Sequence, residues 1–240
     1  MINPLVMNSS IHTALYLVST PIGNLKDVTL RAIEILKGVS IIASEDTRKT
    51  KILLSTYNIK KPLISYYEHN KVSRTPTIIS KIKSGKSVAL VTDSGTPGIQ
   101  DPGFYLVREA ISNGIDIISI PGPSAFTSAL VTSGLPTDKF LFEGFLPRRS
   151  GRRKKRLQEV ANYRGTLIFY ESPHRLLVLL KDVLNVFGNR KIAVVRELTK
   201  KFEEIKRGTI KEMIEYFTEN SPRGEFVVVV EGKTDGYKTI

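Results

Sequence analysis

The chain has 240 residues and a net charge of +13, from 36 Lys and Arg against 23 Asp and Glu, a surplus that favours polyanionic partners. Zero cysteines exclude a disulfide framework, thiolate metal sites and a cysteine nucleophile, and the three histidines, His12, His69 and His174, are too scattered to suggest a metal centre. No apolar run has the length that spans a bilayer and the amino terminus lacks a signal-peptide layout, so a cytoplasmic protein is expected.

In chain order, residues 1–13 are polar and irregular and read as a flexible extension. A short buried strand at 15–19 runs into the sharp loop Thr20-Pro21-Ile22-Gly23-Asn24. Asp27 reads as the N-cap of a helix to about Lys37, with Leu30, Ile33 and Leu36 on one face. A second strand at 39–43 ends in Ser44-Glu45-Asp46-Thr47-Arg48-Lys49; a polar segment from Lys51 then leads to a strand-like run at 63–67 and to Glu68-His69-Asn70. A helix over 75–83, a strand over 87–91, a helix over 104–112 and a strand over 115–120 complete the alternation. Strand and helix in turn describe a mainly parallel α/β domain over 14–121, and the Pro121-Gly122-Pro123 cluster marks its end.

The second domain, 122–240, has a different rhythm. Strands are expected at 140–145, 166–170, 192–195, 202–206 and 225–231, with helices at 176–187 and 211–218. Short strands this close together suggest an α+β domain with antiparallel pairs.

Chemistry concentrates in the loops that follow strands. Residues 91–103 read Val-Thr-Asp-Ser-Gly-Thr-Pro-Gly-Ile-Gln-Asp-Pro-Gly, a composition that continues neither strand nor helix and lets a backbone approach a ligand closely. With 20–24, 44–49 and 121–125 it forms a set of loops that a parallel sheet can gather at one edge. A Gly-x-Gly-x-x-Gly fingerprint is absent after the first strand. Gly85-Lys86-Ser87 resembles the end of a phosphate loop, but Ser80 stands where the first glycine belongs and the segment precedes its strand. A pocket of backbone donors and acceptors suits an adenosine-type cofactor better than a metal.

Five of these segments together carry a resemblance: Thr20-Pro21-Ile22-Gly23-Asn24-Leu25, Glu45-Asp46-Thr47-Arg48, Asp93-Ser94-Gly95-Thr96-Pro97-Gly98, Pro121-Gly122-Pro123-Ser124-Ala125 and Tyr170-Glu171-Ser172-Pro173-His174-Arg175. In this order they resemble the tetrapyrrole-methylase superfamily over about residues 14–231. Within it they are similar to the bacterial branch that methylates a ribose 2′-hydroxyl of a decoding-site cytidine in small-subunit (16S) ribosomal RNA. The resemblance implies a two-domain, S-adenosylmethionine-dependent homodimer with the cofactor in the cleft between the domains. It implies cofactor contact by Ser94, Gly95, Thr96, Ile99, Ser124, Ala125, Glu171 and Leu198, with Pro21, Ile22 and Gly23 closing near the methyl group. Gly95-Thr96-Pro97 replaces the Gly-Asp-Pro frequent in tetrapyrrole methylases, which counts against a porphyrin-like substrate.

Arg148, Arg149, Arg152, Arg153, Lys154, Lys155 and Arg156 form a dense basic run without an acid, which a polyanion would relieve. Arg48, Arg175 and Arg196 are further candidates for holding phosphate or carboxylate. Activating a ribose hydroxyl calls for a proton acceptor, and Glu45, Asp46, Glu68, His69, Glu171 and His174 are candidates, Asp46 also being a possible helix cap and Glu171 a possible partner of Arg175. Tyr66, Tyr67 and Tyr170 are candidates for stacking on a base. Two other readings stay open: a small-molecule methyltransferase acting on a tetrapyrrole, and a non-catalytic RNA-binding assembly factor. The basic run discriminates against the first and cofactor binding against the second.

Overall fold

The computed structural model describes residues 11–234 and divides into two compact units that meet in sequence between Ser124 and Ala125, a little beyond the Pro121–Pro123 cluster. Residues 1–10 of the expected extension lie outside the described residues. Residues 11–13 are anchored rather than loose: Ile11 packs on the core, and the Thr13 hydroxyl donates to Gly85 O at 3.0 Å.

The first unit runs β1 (Leu15–Val18), a 3-10 turn at Leu25–Asp27, α1 (Leu30–Gly38), β2 (Ile41–Ser44), α2 (Thr47–Thr56), β3 (Leu63–Ser65), α3 (Lys71–Lys83), β4 (Val88–Val91), α4 (Gly103–Ser112) and β5 (Ile117–Ile120). Its five strands are all parallel, in the order β3-β2-β4-β1-β5. Central strands of a parallel sheet are covered on both faces, which is why they read as unbroken apolar runs. Tyr16, Val18, Ile42, Ala89 and Val91 meet α1 and α2 through Ala32, Leu36 and Leu54 on one face. Leu15, Ile41, Ala43, Val88 and Leu90 meet α3 and α4 through Ile78, Ile79, Ile82 and Leu106 on the other.

Two expectations are corrected here. Asp27 is not the cap of α1: it closes the 3-10 turn, and Thr29 caps α1 by accepting from Ala32 N. The polar segment from Lys51 is part of α2, whose Thr50, Leu53 and Leu54 are buried while the rest of the helix is polar apart from exposed Ile52.

The second unit runs α5 (Ala125–Ser133), β6 (Phe140–Phe145), α6 (Ser150–Val160), β7 (Thr166–Glu171), a 3-10 turn at Pro173–Arg175, α7 (Leu176–Phe187), β8 (Lys191–Arg196), β9 (Glu204–Thr209), α8 (Ile210–Glu219) and β10 (Phe226–Val230). Its sheet, in the order β6-β7-β10-β8-β9, is mixed: β6 and β7 are parallel and the other pairings antiparallel. Leucines of α7 with α6 and α8 cover one face. The other receives α5 through Ala129 and Leu130, a helix absent from the sequence reading. The carboxyl ends of β6, β7 and β8 therefore lie at one edge. Among the described residues, no helix is long and apolar enough to cross a membrane.

Candidate active site

The strand-end loops of the first unit meet at one edge of its sheet, and main-chain bonds tie them together. Thr20 N donates to Gly95 O at 2.9 Å and Gly95 N returns a bond to Thr20 O at 3.0 Å, a two-way bridge between the loops after β1 and β4. Gly95 has φ +84°, a left-handed backbone that a side chain would strain. The Ser19 and Thr96 hydroxyls are 3.0 Å apart, and Thr96 also donates to Pro123 O at 3.4 Å, bringing in the loop after β5. That approach is close enough that a Cβ on Gly122 would stand 2.9 Å from Ser19 Cβ. Pro21 and Gly95 are buried, Ile22 and Thr96 half-buried, and Gly23, Ser94 and Ile99 exposed.

The central loop braces itself through a residue that the sequence reading did not single out. The Asp101 carboxylate accepts from Gly98 N at 2.8 and 2.9 Å and from Gly103 N at 2.6 Å, closing the turn and entering α4. Burial pushes the Asp101 carboxyl above its ordinary value despite these bonds, which favour the anion. The signal was present as Asp-Pro-Gly at the start of a helix, with a second glycine three residues earlier.

A second network links the loops after β2 and β4. Glu45 Oε2 accepts from the Thr92 hydroxyl at 2.8 Å, Asp46 N donates to Asp93 Oδ1 at 3.0 Å, and Lys49 Nζ meets Asp93 Oδ2 at 2.7 Å. Asp46 caps α2 at Arg48 N, and hydrogen bonds from the Arg48 guanidinium hold its carboxyl well below the usual carboxylate range. Asp46 is thereby a cap and ion-pair partner and a poor proton acceptor at neutral pH. Glu68 pairs with Lys71, and His69 is exposed with its ring edge-on to Tyr67. Tyr66 is a packing residue, not a stacking platform: it is buried, and its hydroxyl donates to Pro102 O.

In the second unit Glu171 ends β7, is buried, and accepts from Ser172 N at 2.9 Å through Oε1. Its Oε2 lacks a hydrogen bond; Arg175 Nη2 lies 3.3 Å away, an ion pair without hydrogen-bond geometry. Burial raises the Glu171 carboxyl above its ordinary value, with the Ser172 amide and Arg175 opposing. Leu198 packs on the α5-side cluster and sits between Glu197 and Thr199, both left-handed at φ 50° and 63°. Ala125 packs on the same cluster, Tyr170 accepts from Phe126 N, and Ser124 belongs to the first unit; His174 is exposed in the turn after β7.

The basic run divides once it is folded. Arg153 is buried and paired with Asp182 of α7 at 2.7 Å, and Arg156 is forked onto Glu143 of β6, which raises its pKa. Arg175 donates to Leu146 O, and Arg196 to Arg223 O. Arg153, Arg156 and Arg175 are thus each bonded to groups of the protein itself. Arg148, Arg149, Arg152, Lys154 and Lys155 remain exposed, Lys154 lying 3.7 Å from Asp182.

Residues 14–214 match the profile of the Tetrapyrrole (Corrin/Porphyrin) Methylases. The chain belongs to this family. Among its relatives, a protein of Halalkalibacterium halodurans named ribosomal RNA small subunit methyltransferase I is 51% identical over 91% of the chain and 75% of that protein. A protein of the same name from Thermotoga maritima is 47% identical over 91% of the chain and 98% of its own length. Among solved structures, cobalt precorrin-4 methyltransferase CbiF aligns with TM-score 0.69 at 17% identity, over 94% of this chain and 98% of its own. Uroporphyrin-III-C-methyltransferase of Thermus thermophilus aligns with TM-score 0.62 at 20% identity, over 90% and 93%. At these identities the two structures show a shared fold and not a shared substrate.

The cofactor of this family member is S-adenosylmethionine, and the first unit's loops fit it. They present neutral hydroxyls at Ser19, Ser94 and Thr96 and a glycine-lined backbone, with the Glu45, Asp93 and Asp101 carboxylates along the same edge. That set suits a nucleoside with a positively charged sulfur.

Proposed function

We propose that this protein methylates the ribose 2′-hydroxyl of a decoding-site cytidine in small-subunit ribosomal RNA, acting in the cytoplasm as a homodimer. The observation that carries the reading is the identity of about half, over nine-tenths of the chain, to proteins named ribosomal RNA small subunit methyltransferase I. The exposed cations Arg148, Arg149, Arg152 and Lys155 at the start of α6 support a polyanionic substrate. S-adenosylmethionine, when bound, supplies a methyl group on a sulfonium.

The residues of this chain then have three tasks. Ser94, Gly95, Thr96 and Ile99, on a loop held rigid by Asp101 and by the Thr20 bridge, orient the cofactor, with Ser124 beside Pro123 and with Pro21, Ile22 and Gly23 in the loop after β1. In the second unit the same reading assigns cofactor contact to Ala125, Glu171 and Leu198. The exposed cations hold the RNA backbone, with Arg48 an additional contact, and in-line alignment provides much of the rate. Glu45, His69 or Glu171 takes the hydroxyl proton as the oxygen attacks; Asp46, held ionised by Arg48, is set aside.

Methyl incorporation from labelled cofactor into small subunits that lack their own modification, with ribose-specific mapping, tests the reading. Label on a single 2′-oxygen is the expected result. Cofactor binding without label in subunits or naked RNA would overturn the substrate assignment.

A further inference from the structure

The connection from β6 to α6 is held by its carbonyls. Arg175 Nη2 donates to Leu146 O at 2.9 Å and lies 3.4 Å from Pro147 O, and Arg153 Nη1 donates to Arg148 O at 2.9 Å. Three consecutive carbonyls are therefore gripped by two guanidiniums. Each guanidinium is itself anchored: Arg153 puts Nε and Nη2 on Asp182 Oδ2 at 2.7 Å, and Arg175 stands beside buried Glu171. The Arg153 side chain is 5% exposed and that of Asp182 8%.

A buried ion pair is a weak source of stability, because desolvation offsets the Coulomb gain. Its geometric specificity is another matter. A forked guanidinium that spans a carboxylate and a carbonyl fixes both in direction as well as distance. We infer that Arg153 and Arg175 are positioning residues for RNA: they fix the path of 146–149 so that Arg148, Arg149, Arg152 and Lys155 stand as a preformed cationic array for a phosphate backbone, and they do not bind phosphate themselves. A preformed array spares the ordering of long side chains and of their loop when RNA binds. The inference rests on the RNA reading above.

Two substitutions test it. Arg153→Lys keeps the charge and the reach to Asp182 but loses the fork to the Arg148 carbonyl. Asp182→Asn removes an anion and loosens the anchor. Affinity for transcribed small-subunit RNA is measured across a salt series, with KM and kcat on small subunits, cofactor affinity and melting temperature alongside. Each phosphate contact contributes about 0.7 to 0.9 to the log–log salt slope. Each variant is expected to flatten that slope by about two contacts and to raise KM about tenfold, while kcat and cofactor affinity hold.

If Arg153 touched phosphate directly, lysine would keep the slope, and Asp182→Asn would tighten binding by freeing the guanidinium; either result overturns the inference. A lowered melting temperature with an unchanged slope overturns it too, by showing a structural role alone. Where Asp182→Asn fails to fold, the milder Arg153→Lys decides. Failure of the RNA reading is separate: the wild-type protein would then show neither salt-dependent RNA binding nor methyl incorporation.

Discussion

Asp101 and Glu171 are both carboxyls that burial makes reluctant to ionise, but they serve different ends. Asp101 accepts from two glycine amides and so gives the central loop a single shape. Replacing it with alanine leaves those amides without their acceptor, and a loss of about 1–3 kcal/mol follows for each one kept from water. Asp101→Ala is expected to lower the melting temperature and to weaken cofactor binding in calorimetry by tenfold or more, roughly the effect of a 1.4 kcal/mol loss of loop order. Gly103→Ala strikes the same loop from the other side, since a Cβ there would stand 2.7 Å from Gly98 N. Glu171 predicts a pH effect. Its folded pKa is raised, so its contribution is most favourable below the unfolded value and is lost as pH rises through the folded one. Glu171→Gln should therefore gain melting temperature relative to wild type as pH goes from about 4 to about 7. A flat difference would show that the carboxyl is not desolvated in solution. The site's glycines and prolines were legible in the sequence because they are rare and clustered. Asp101 was not singled out, because a carboxylate bonded to nearby amides reads in a sequence like any loop aspartate.

Helix α6 shows what periodicity could have added. Arg153, Leu157 and Val160 are spaced four and three residues apart, which is one helical face, and that face is the buried one. The seven cations of 148–156 are therefore not equivalent once this stripe is drawn. Arg153→Met, which leaves buried Asp182 with only Lys154 at 3.7 Å, is expected to cost up to about 3–5 kcal/mol in chemical denaturation, as for one-sided removal of a buried pair. Arg152→Ala, on the exposed face, should change stability by less than about 0.5 kcal/mol. Helices α2 and α5 escaped for opposite reasons. In α2 the buried stripe is only Thr50, Leu53 and Leu54, and the apolar Ile52 beside it faces outward. In α5 small and apolar residues are spread around the helix, so no face announces itself, and only Ala129, Leu130 and Ser133 are buried. Strands were easier, because β1, β2 and β4 are covered on both faces and must be continuously apolar.

At the scale of the whole molecule, charge and cofactor chemistry separate. The net charge of +13 favours RNA through phosphate contacts, whereas the loops proposed for the cofactor offer neutral donors beside carboxylates. Raising salt from about 50 to about 200 mM should weaken RNA affinity by orders of magnitude, in line with several phosphate contacts, and leave cofactor affinity within about twofold. Parallel titrations by filter binding and calorimetry check this. An equal response of both ligands would mean that the surplus charge acts on neither in particular. The shared fold across tetrapyrrole and ribosomal RNA methyltransferases could not be read from composition or periodicity; it rests on loop motifs taken together, each of them short.

The order β3-β2-β4-β1-β5 also sets a timetable. Strand β1 is made first, yet its two neighbours, β4 and β5, lie about seventy and about a hundred residues downstream, so at 5–20 residues per second it waits ~5–20 s for its last partner. Until β4 is made both of its hydrogen-bonding edges are open and the loop after it has no Gly95 to bridge, and until β5 is made one edge stays unpaired. The first unit of a nascent chain should therefore gain protease resistance in one late step, after β5 has been made, and not strand by strand as the chain emerges.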